Sequence, residues 1–312
     1  MIFKNHDIPI KKSLFFLLFL VLGLGCKEAG DQNKGKLSIV TTTTMITDLV
    51  QNIGKDSVSV QGLMGTGVDP HLYKASEGDV SKLTGADVVF YSGLHLEGKL
   101  VDVFEKMGRN GNTIALAEVL DKDGLISSEY FASSYDPHIW FNITYWKQIT
   151  GYLTEELTKL DPENAEFYRV NKEEYLKKLD ALEDDVRQTI ATLPEEKRVL
   201  VTAHDAFNYF GEAYGFEVVG LQGLSTATEA GVQDVQNLAQ LIIDKQVKAI
   251  FVETSVPKRT IEALQKAVNA KGYNVEIGGT LYSDALGNPG TEEGTYIGMF
   301  RYNVETIVGA LK

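Results

Sequence analysis

Cysteine is almost absent from this sequence. Cys26 is the only one among 312 residues, and a disulfide needs two, so the fold uses none. The chain also lacks a CxxC pair, an HExxH pattern and an EF-hand loop, which removes the common thiolate, zincin and calcium-loop motifs. Long apolar runs are missing too. The longest, Ser13 to Leu24, is about a dozen residues at about 1.5 Å each, too short to cross a bilayer core of about 30 Å. Basic residues are outnumbered, 30 against 43 acidic, for a net charge of −13. With no basic patch interleaved with aromatics, nucleic acid is excluded as a partner. An acidic surface instead mildly attracts cations. No low-complexity run or short-period repeat is present.

What is there begins with an export signature. Lys4, Lys11 and Lys12 precede the apolar run, and together they read as a signal peptide over residues 1–25; a buried N-terminal strand or helix is the alternative. Cys26 follows in Leu22-Gly23-Leu24-Gly25-Cys26, placed like a bacterial lipoprotein acceptor. Gly25 suits the position before the cysteine, while Gly23 stands where Leu is usual. Acyl chains on Cys26 would anchor the protein to a membrane, each buried methylene contributing about 0.8 kcal/mol. Residues 26–36, polar and with Gly30 and Gly35, read as a lipid-anchored flexible tether.

From Leu37 onward strands and helices alternate, which implies βαβ units and a mostly parallel sheet. Strands are expected at Leu37–Val40, Val58–Met64 and Val88–Tyr91, with helices over Thr47–Ile53 and Glu77–Leu83. The same alternation returns with strands at Arg198–Thr202, Lys248–Val252 and Asn274–Ile277 and helices over Val232–Ile243, Lys258–Asn269 and Thr295–Leu311. Between them, Asp161-Pro162 is a helix-start signal. Phe167, Val170, Tyr175, Leu176, Leu179, Leu182 and Val186 then recur at spacings of three and four until Pro194. This predicts one helix of about thirty residues, about 45 Å, with a kinked helix pair as the alternative. The expected architecture is α/β: an N-terminal lobe (37–160) and a C-terminal lobe (195–312), with mostly parallel sheets flanked by helices, joined by a long rigid helix (161–194).

The chemistry is expected at histidines. Of five, His6 lies in the signal segment, leaving His71, His95, His138 and His204. His71 and His138 each close an Asp-Pro-His tripeptide, Asp69-Pro70-His71 and Asp136-Pro137-His138. Proline fixes its own φ and restricts the residue before it, so both segments enter a site with little freedom. His71, His204 and Asp284 each follow an expected strand at its carboxyl end, where open α/β sheets bind ligands. Two residues from each lobe point to a metal site in the cleft between lobes. Imidazole with one carboxylate suits zinc, manganese, iron or copper(II), and without thiolate a copper(I) site is disfavoured. His95 reads as a residue near the cleft, Asp205 as orienting the His204 loop, and Glu253 as either a helix cap or a metal contact.

The residues then become recognisable. Gly65-Thr66-Gly67-Val68-Asp69-Pro70-His71-Leu72-Tyr73, Tyr91-Ser92-Gly93-Leu94-His95-Leu96-Glu97, Asp136-Pro137-His138-Ile139-Trp140-Phe141, Val199–Phe207, Gly220–Thr226 and Leu281–Gly287 carry the likeness. Over residues 37–312 the chain resembles the metal-binding lipoproteins of bacterial zinc and manganese ABC importers, the TroA/ZnuA type of solute-binding protein. The resemblance implies two α/β lobes on a rigid backbone helix, with ligands at His71, His138, His204 and Asp284. Zinc-dedicated members carry a His- and acid-rich loop before the second histidine, whereas Leu116–Tyr135 here has no histidine. Many manganese-dedicated members place Glu where this chain has His204. The implied cargo is one Zn2+ or Mn2+, and the implied partners are a permease with its ATPase.

The expected function is therefore capture of a divalent metal outside the cytoplasmic membrane by an exported, lipid-anchored monomer, and delivery to an ABC importer. Two rivals are a metal-dependent hydrolase, which needs an open coordination position for water, and a surface adhesin with a structural metal.

Overall fold

The computed structural model describes residues 1–2, 35–108, 113–128, 131 and 133–312. Residues 3–25 of the expected signal peptide, Cys26 and the tether as far as residue 34 lie outside the described residues. Among the described residues, no helix is long and apolar enough to cross a membrane.

Strands β1 (Leu37–Thr41), β2 (Val58–Gly62), β3 (Val88–Tyr91) and β4 (Thr113–Ala115) form one sheet in the order β2-β1-β3-β4. All its pairings are parallel, with Ile39 opposite Val60 on one side and Val88 on the other. Parallel sheets need cover on both faces, which is why these strands are nearly continuous in apolar residues. Ile39, Val88 and Phe90 face a large core that includes Leu49 and Ile53 of helix α1 (Thr44–Gly54). Val40 and Val89 face a smaller core with Leu83 of α2 (Glu77–Gly85) and Phe104 of α3 (Val101–Gly108).

Helix α4 (Ile143–Leu160) was not anticipated from the sequence. Its start is well marked, since the Asn142 side chain accepts from the Thr144 and Tyr145 N–H groups, an N-cap. After a 3-10 turn at Pro162–Asn164 comes α5 (Ala165–Ala191), a single helix of 27 residues. At 1.5 Å per residue it is about 40 Å long. Tyr168, Asn171, Tyr175, Leu179, Leu182, Val186 and Ile190 form its buried stripe, at the spacing that keeps one face inward. The stripe is rotated from the expected one at its start. Phe167 and Val170 are 39% and 42% exposed, because Tyr168 takes the inward position and donates its hydroxyl to Asp161.

The second half carries β5 (Val199–His204) paired with β6 (Glu217–Gln222), and β7 (Ala249–Glu253) paired with β8 (Glu276–Leu281), both parallel. β5 and β7 lie side by side. Their residues alternate between two cores. Val201, Ala203, Ile250 and Val252 pack with α7 (Val232–Asp244) and α8 (Arg259–Ala270), whereas Leu200 and Phe251 join the large core. Short α6 (Asn208–Tyr214) and closing α9 (Tyr296–Leu311) complete the chain. β8 ends at Leu281, four residues later than expected. The Gly278-Gly279 pair hides it from an apolar pattern but is needed there. A Cβ on Gly278 would lie within 2.9 Å of Ala310, Phe251 and Ala249, so glycine lets α9 approach the strand.

The large core runs without interruption from β1 and α1 through α4 and α5 to Phe207, Phe251 and α9, and Leu37–Lys312 is one compact unit. Asp48 on α1 is drawn into this junction and accepts the Tyr296 N–H at 3.1 Å. Burial pushes its carboxyl up to about 6, against the lowering effect of that hydrogen bond. The unfolded chain thus loses this proton first as pH rises, and stability falls between about pH 4 and pH 6. Thermal melts of Asp48→Asn should show a Tm gain over the parent that is larger at pH 8 than at pH 4. A difference independent of pH would remove the assignment.

Candidate metal centre

Both Asp-Pro-His tripeptides fold alike. Asp69 Oδ1 accepts the His71 N–H at 2.8 Å, and Asp136 Oδ1 accepts the His138 N–H at 2.9 Å. Each is an aspartate turn closed across a proline, which has no N–H of its own to compete. Asp136 does more, because the same oxygen lies 2.7 Å from His138 Nδ1. Asn208 Nδ2 and the Tyr209 hydroxyl donate to Asp136 Oδ2 and to its carbonyl oxygen. In the sequence this aspartate is marked only as part of a rigid turn. Its spacing of two from the histidine was the available signal.

His204 is the last residue of β5, and Glu253 the last of β7. Because the two strands run side by side, Glu253 Oε1 accepts the His204 N–H at 2.9 Å and Oε2 lies 2.6 Å from His204 Nδ1. Glu253 is thus neither a helix cap nor part of the inner cluster; it orients His204 from behind. Asp205 orients the loop as expected, accepting the Gly220 N–H at 2.6 Å. Asp284 lies three residues past β8, and Ser255 donates to its Oδ2 at 3.1 Å.

These elements bring His71, His138, His204 and Asp284 together, with one ligand atom from each lying within 4.8 Å of all the others. His71 Nε2 is 3.3 Å from His138 Nε2, His204 Nε2 is 3.3 Å from Asp284 Oδ2, and His138 Nε2 is 3.6 Å from Asp284 Oδ1. A tetrahedron of ligands at about 2.0–2.1 Å from an ion has edges of about 3.4 Å. The group is buried throughout, the most exposed member being His71 at 4%. His204 Nε2 and Asp284 Oδ1 nevertheless have no hydrogen-bond partner. Orphaned buried polar atoms aimed at one shared point are what a cation site requires. His95, half-buried at a φ of +61°, is not in the group. Its segment serves the fold through buried Glu97, which accepts from the Ser92 N–H and the Thr42 hydroxyl.

Asp136, Glu253 and Asp284 place three carboxylates, each at most 2% exposed, around three imidazoles. Burial lowers His204, but Glu253 and Asp284 outweigh it and hold the imidazole well above its usual range. Burial pushes His71 down to about 3, against the raising effect of Asp284. Burial raises Asp284, yet His204, His71 and His138 together hold its carboxyl below the ordinary range. His71 is therefore held neutral, while His204 favours its protonated form, with which a metal ion at this cluster would compete. Metal affinity should rise with pH and binding should release protons. Titration in two buffers of different ionisation heat measures that release, and an affinity flat from pH 5 to pH 7 would contradict it. Asp136→Asn and Glu253→Gln should each weaken metal binding by about 10–100-fold, the usual cost of removing an orienting partner behind a ligating histidine. Competition with a chelating dye reads this out.

With the geometry in hand, comparison with known proteins is direct. The family described as "ZnuA: Zinc-uptake complex component A periplasmic" matches residues 39–310. The manganese-binding lipoprotein MntA of Bacillus subtilis (strain 168) is 49% identical over 300 residues, covering 96% of this chain and 98% of that one. The zinc-binding protein TroA of Treponema pallidum (strain Nichols) is 47% identical over 287 residues, 92% of each chain. The solved structure of the periplasmic zinc-binding protein TroA from Treponema pallidum superposes with a TM-score of 0.87 at 48% identity, covering 89% of this chain and 99% of that one. The chain belongs to the ZnuA family of periplasmic zinc-uptake components.

Proposed function

We propose that this protein captures one divalent transition-metal ion, Zn2+ or Mn2+, outside the cytoplasmic membrane and hands it to the permease of an ABC importer. His71, His138, His204 and Asp284 are the ligands. The observation that carries this reading is the buried, unsatisfied cluster itself, with its Nε2 and carboxylate oxygens converging at coordination spacing. The similarity to a manganese-binding lipoprotein and to a zinc-binding protein supports cargo of this class. Three imidazoles and a carboxylate serve either metal, and a bidentate Asp284 accommodates the larger one. Four protein ligands close the sphere, which favours binding and release over hydrolysis, where water must hold a position.

In this reading the chain acts as a monomer, and acylated Cys26 holds it at the membrane close to its permease and ATPase. The single large core and α5 restrict how far the halves can move, so loading involves a small adjustment and not a wide hinge. Elemental analysis of protein from its own cells, with zinc and manganese titrations of the metal-free form, tests the proposal. One ion per chain is expected, and His204→Ala should lose it. Two or more tight ions, or binding that survives His204→Ala, would sink the assignment. Solution scattering should give nearly the same radius of gyration with and without metal, and a large compaction on loading would count against restricted closure.

A further inference from the structure

Residues 223–231 connect β6 to α7 and pass close to the His71 loop. The Thr226 hydroxyl donates to Asp69 Oδ2 at 2.5 Å, across 157 positions of sequence. Asp69 is the same residue whose Oδ1 accepts the His71 N–H at 2.8 Å. One carboxylate thus joins a loop of the second half to the backbone of a metal-site histidine in the first. Pro70 stands between Asp69 and His71 and leaves that dipeptide little rotational freedom. Displacing Asp69 therefore displaces His71.

The loop's ties to its own half lie mainly at its two ends: the Gly223 carbonyl accepts from the Asp205 N–H, Gln222 Nε2 donates to the Thr228 carbonyl, Glu229 pairs with Arg259 and the Gly231 N–H donates to Asp234. Around Thr226 itself, among the described residues, there is only a local turn from the Ala227 N–H to Ser225 besides the bond to Asp69. Beneath it lies a cavity of about 400 Å³ whose lining includes Val219 and Leu221 of β6, Leu238 and Leu241 of α7, and Thr228 and Glu229 of the loop. At its start, a Cβ on Gly223 would meet nothing within 4 Å. The adjoining cavity and the open space at Gly223 leave the middle of this segment room to move. Other crossings between the halves lie beside Asp284, among them the Leu286 N–H to Thr44 and Trp140 Nε1 to the Ser283 carbonyl. Thr66, on the same connection between β2 and α2 as His71, donates to the Gly287 carbonyl. It holds the base of that loop, whereas Asp69 holds the tip that carries the histidine.

We propose that the Thr226–Asp69 hydrogen bond is a latch between the two halves that keeps His71 in the metal site and sets the rate at which bound metal leaves. Thr226 is a positioning residue and touches no metal. The inference rests on the metal-capture reading above. Opening the latch frees the Asp69-Pro70-His71 tip, while Thr66 still holds the base of its loop and the surroundings of Asp284 stay in place, so release needs no separation of the core.

The test uses the full chain loaded with Zn2+ or Mn2+ and mixed rapidly with excess chelator. Losing a hydrogen bond to a charged acceptor should raise the dissociation rate of Thr226→Val about ten-fold or more. The association rate should change less than about three-fold. Thr226→Ser, which keeps the hydroxyl, should release metal at close to the parent rate. Thr226→Ala is the substitute if the valine variant does not fold. Parent-like release by the valine or alanine variant overturns the latch, as does a serine variant as fast as valine. If the parent chain binds no ion, the metal-capture reading fails; if it binds one and Thr226→Val releases it no faster, the latch alone fails.

Discussion

Buried charge is the constraint on which the centre depends. Asp136, Glu253 and Asp284 are all sealed from water, and ionised carboxylates in such a place must be paired or they destabilise the fold. Three imidazoles are the pairing the chain offers. Asp136 is hydrogen-bonded to His138 Nδ1 and Glu253 Oε2 lies 2.6 Å from His204 Nδ1, so each carboxylate stands on the Nδ1 side of its imidazole and leaves Nε2 to the shared cluster. The third, Asp284, faces the Nε2 atoms directly. Glu253 and Asp284 favour the protonated form of His204, so a proton and a divalent ion would compete for the same cluster.

The positions of these groups follow from one apolar core. β1 and β3 present Ile39 and Phe90 to it from the first half, β5 and β7 present Leu200 and Phe251 from the second, and α5 lies along it. Trp140, at the end of the second Asp-Pro-His segment, is buried there and donates to the Ser283 carbonyl beside Asp284. The candidate metal cluster lies where strand ends and the loops that follow them converge, with His204 the last residue of β5.

Much of this was legible in the residues. The apolar strands of the first sheet, the three-and-four spacing along α5 and the paired Asp-Pro-His segments each depend on local rules of period or backbone freedom. Other elements were hidden for equally physical reasons. β8 carries Gly278 and Gly279 in its middle, where a helix presses close, so no alternation marks it. The stripe on α5 begins at Tyr168 and not Phe167, because a hydrogen bond from a hydroxyl to Asp161 decides which aromatic turns inward. Glu253 sits 49 positions from His204, and no sequence pattern reports that two strands are neighbours.

The sequence by itself singled out the residue types of the candidate site, the two stiff turns that carry His71 and His138, the class of fold and the family likeness. It could do so because side-chain chemistry and backbone restriction are properties of short segments. Tertiary structure alone decided that Asp136 and Glu253 stand behind His138 and His204, that Asp284 meets the imidazoles at coordination spacing, and that Thr226 reaches Asp69. Those are contacts between distant parts of the chain, and their geometry exists only once the shared core has brought the strand ends together.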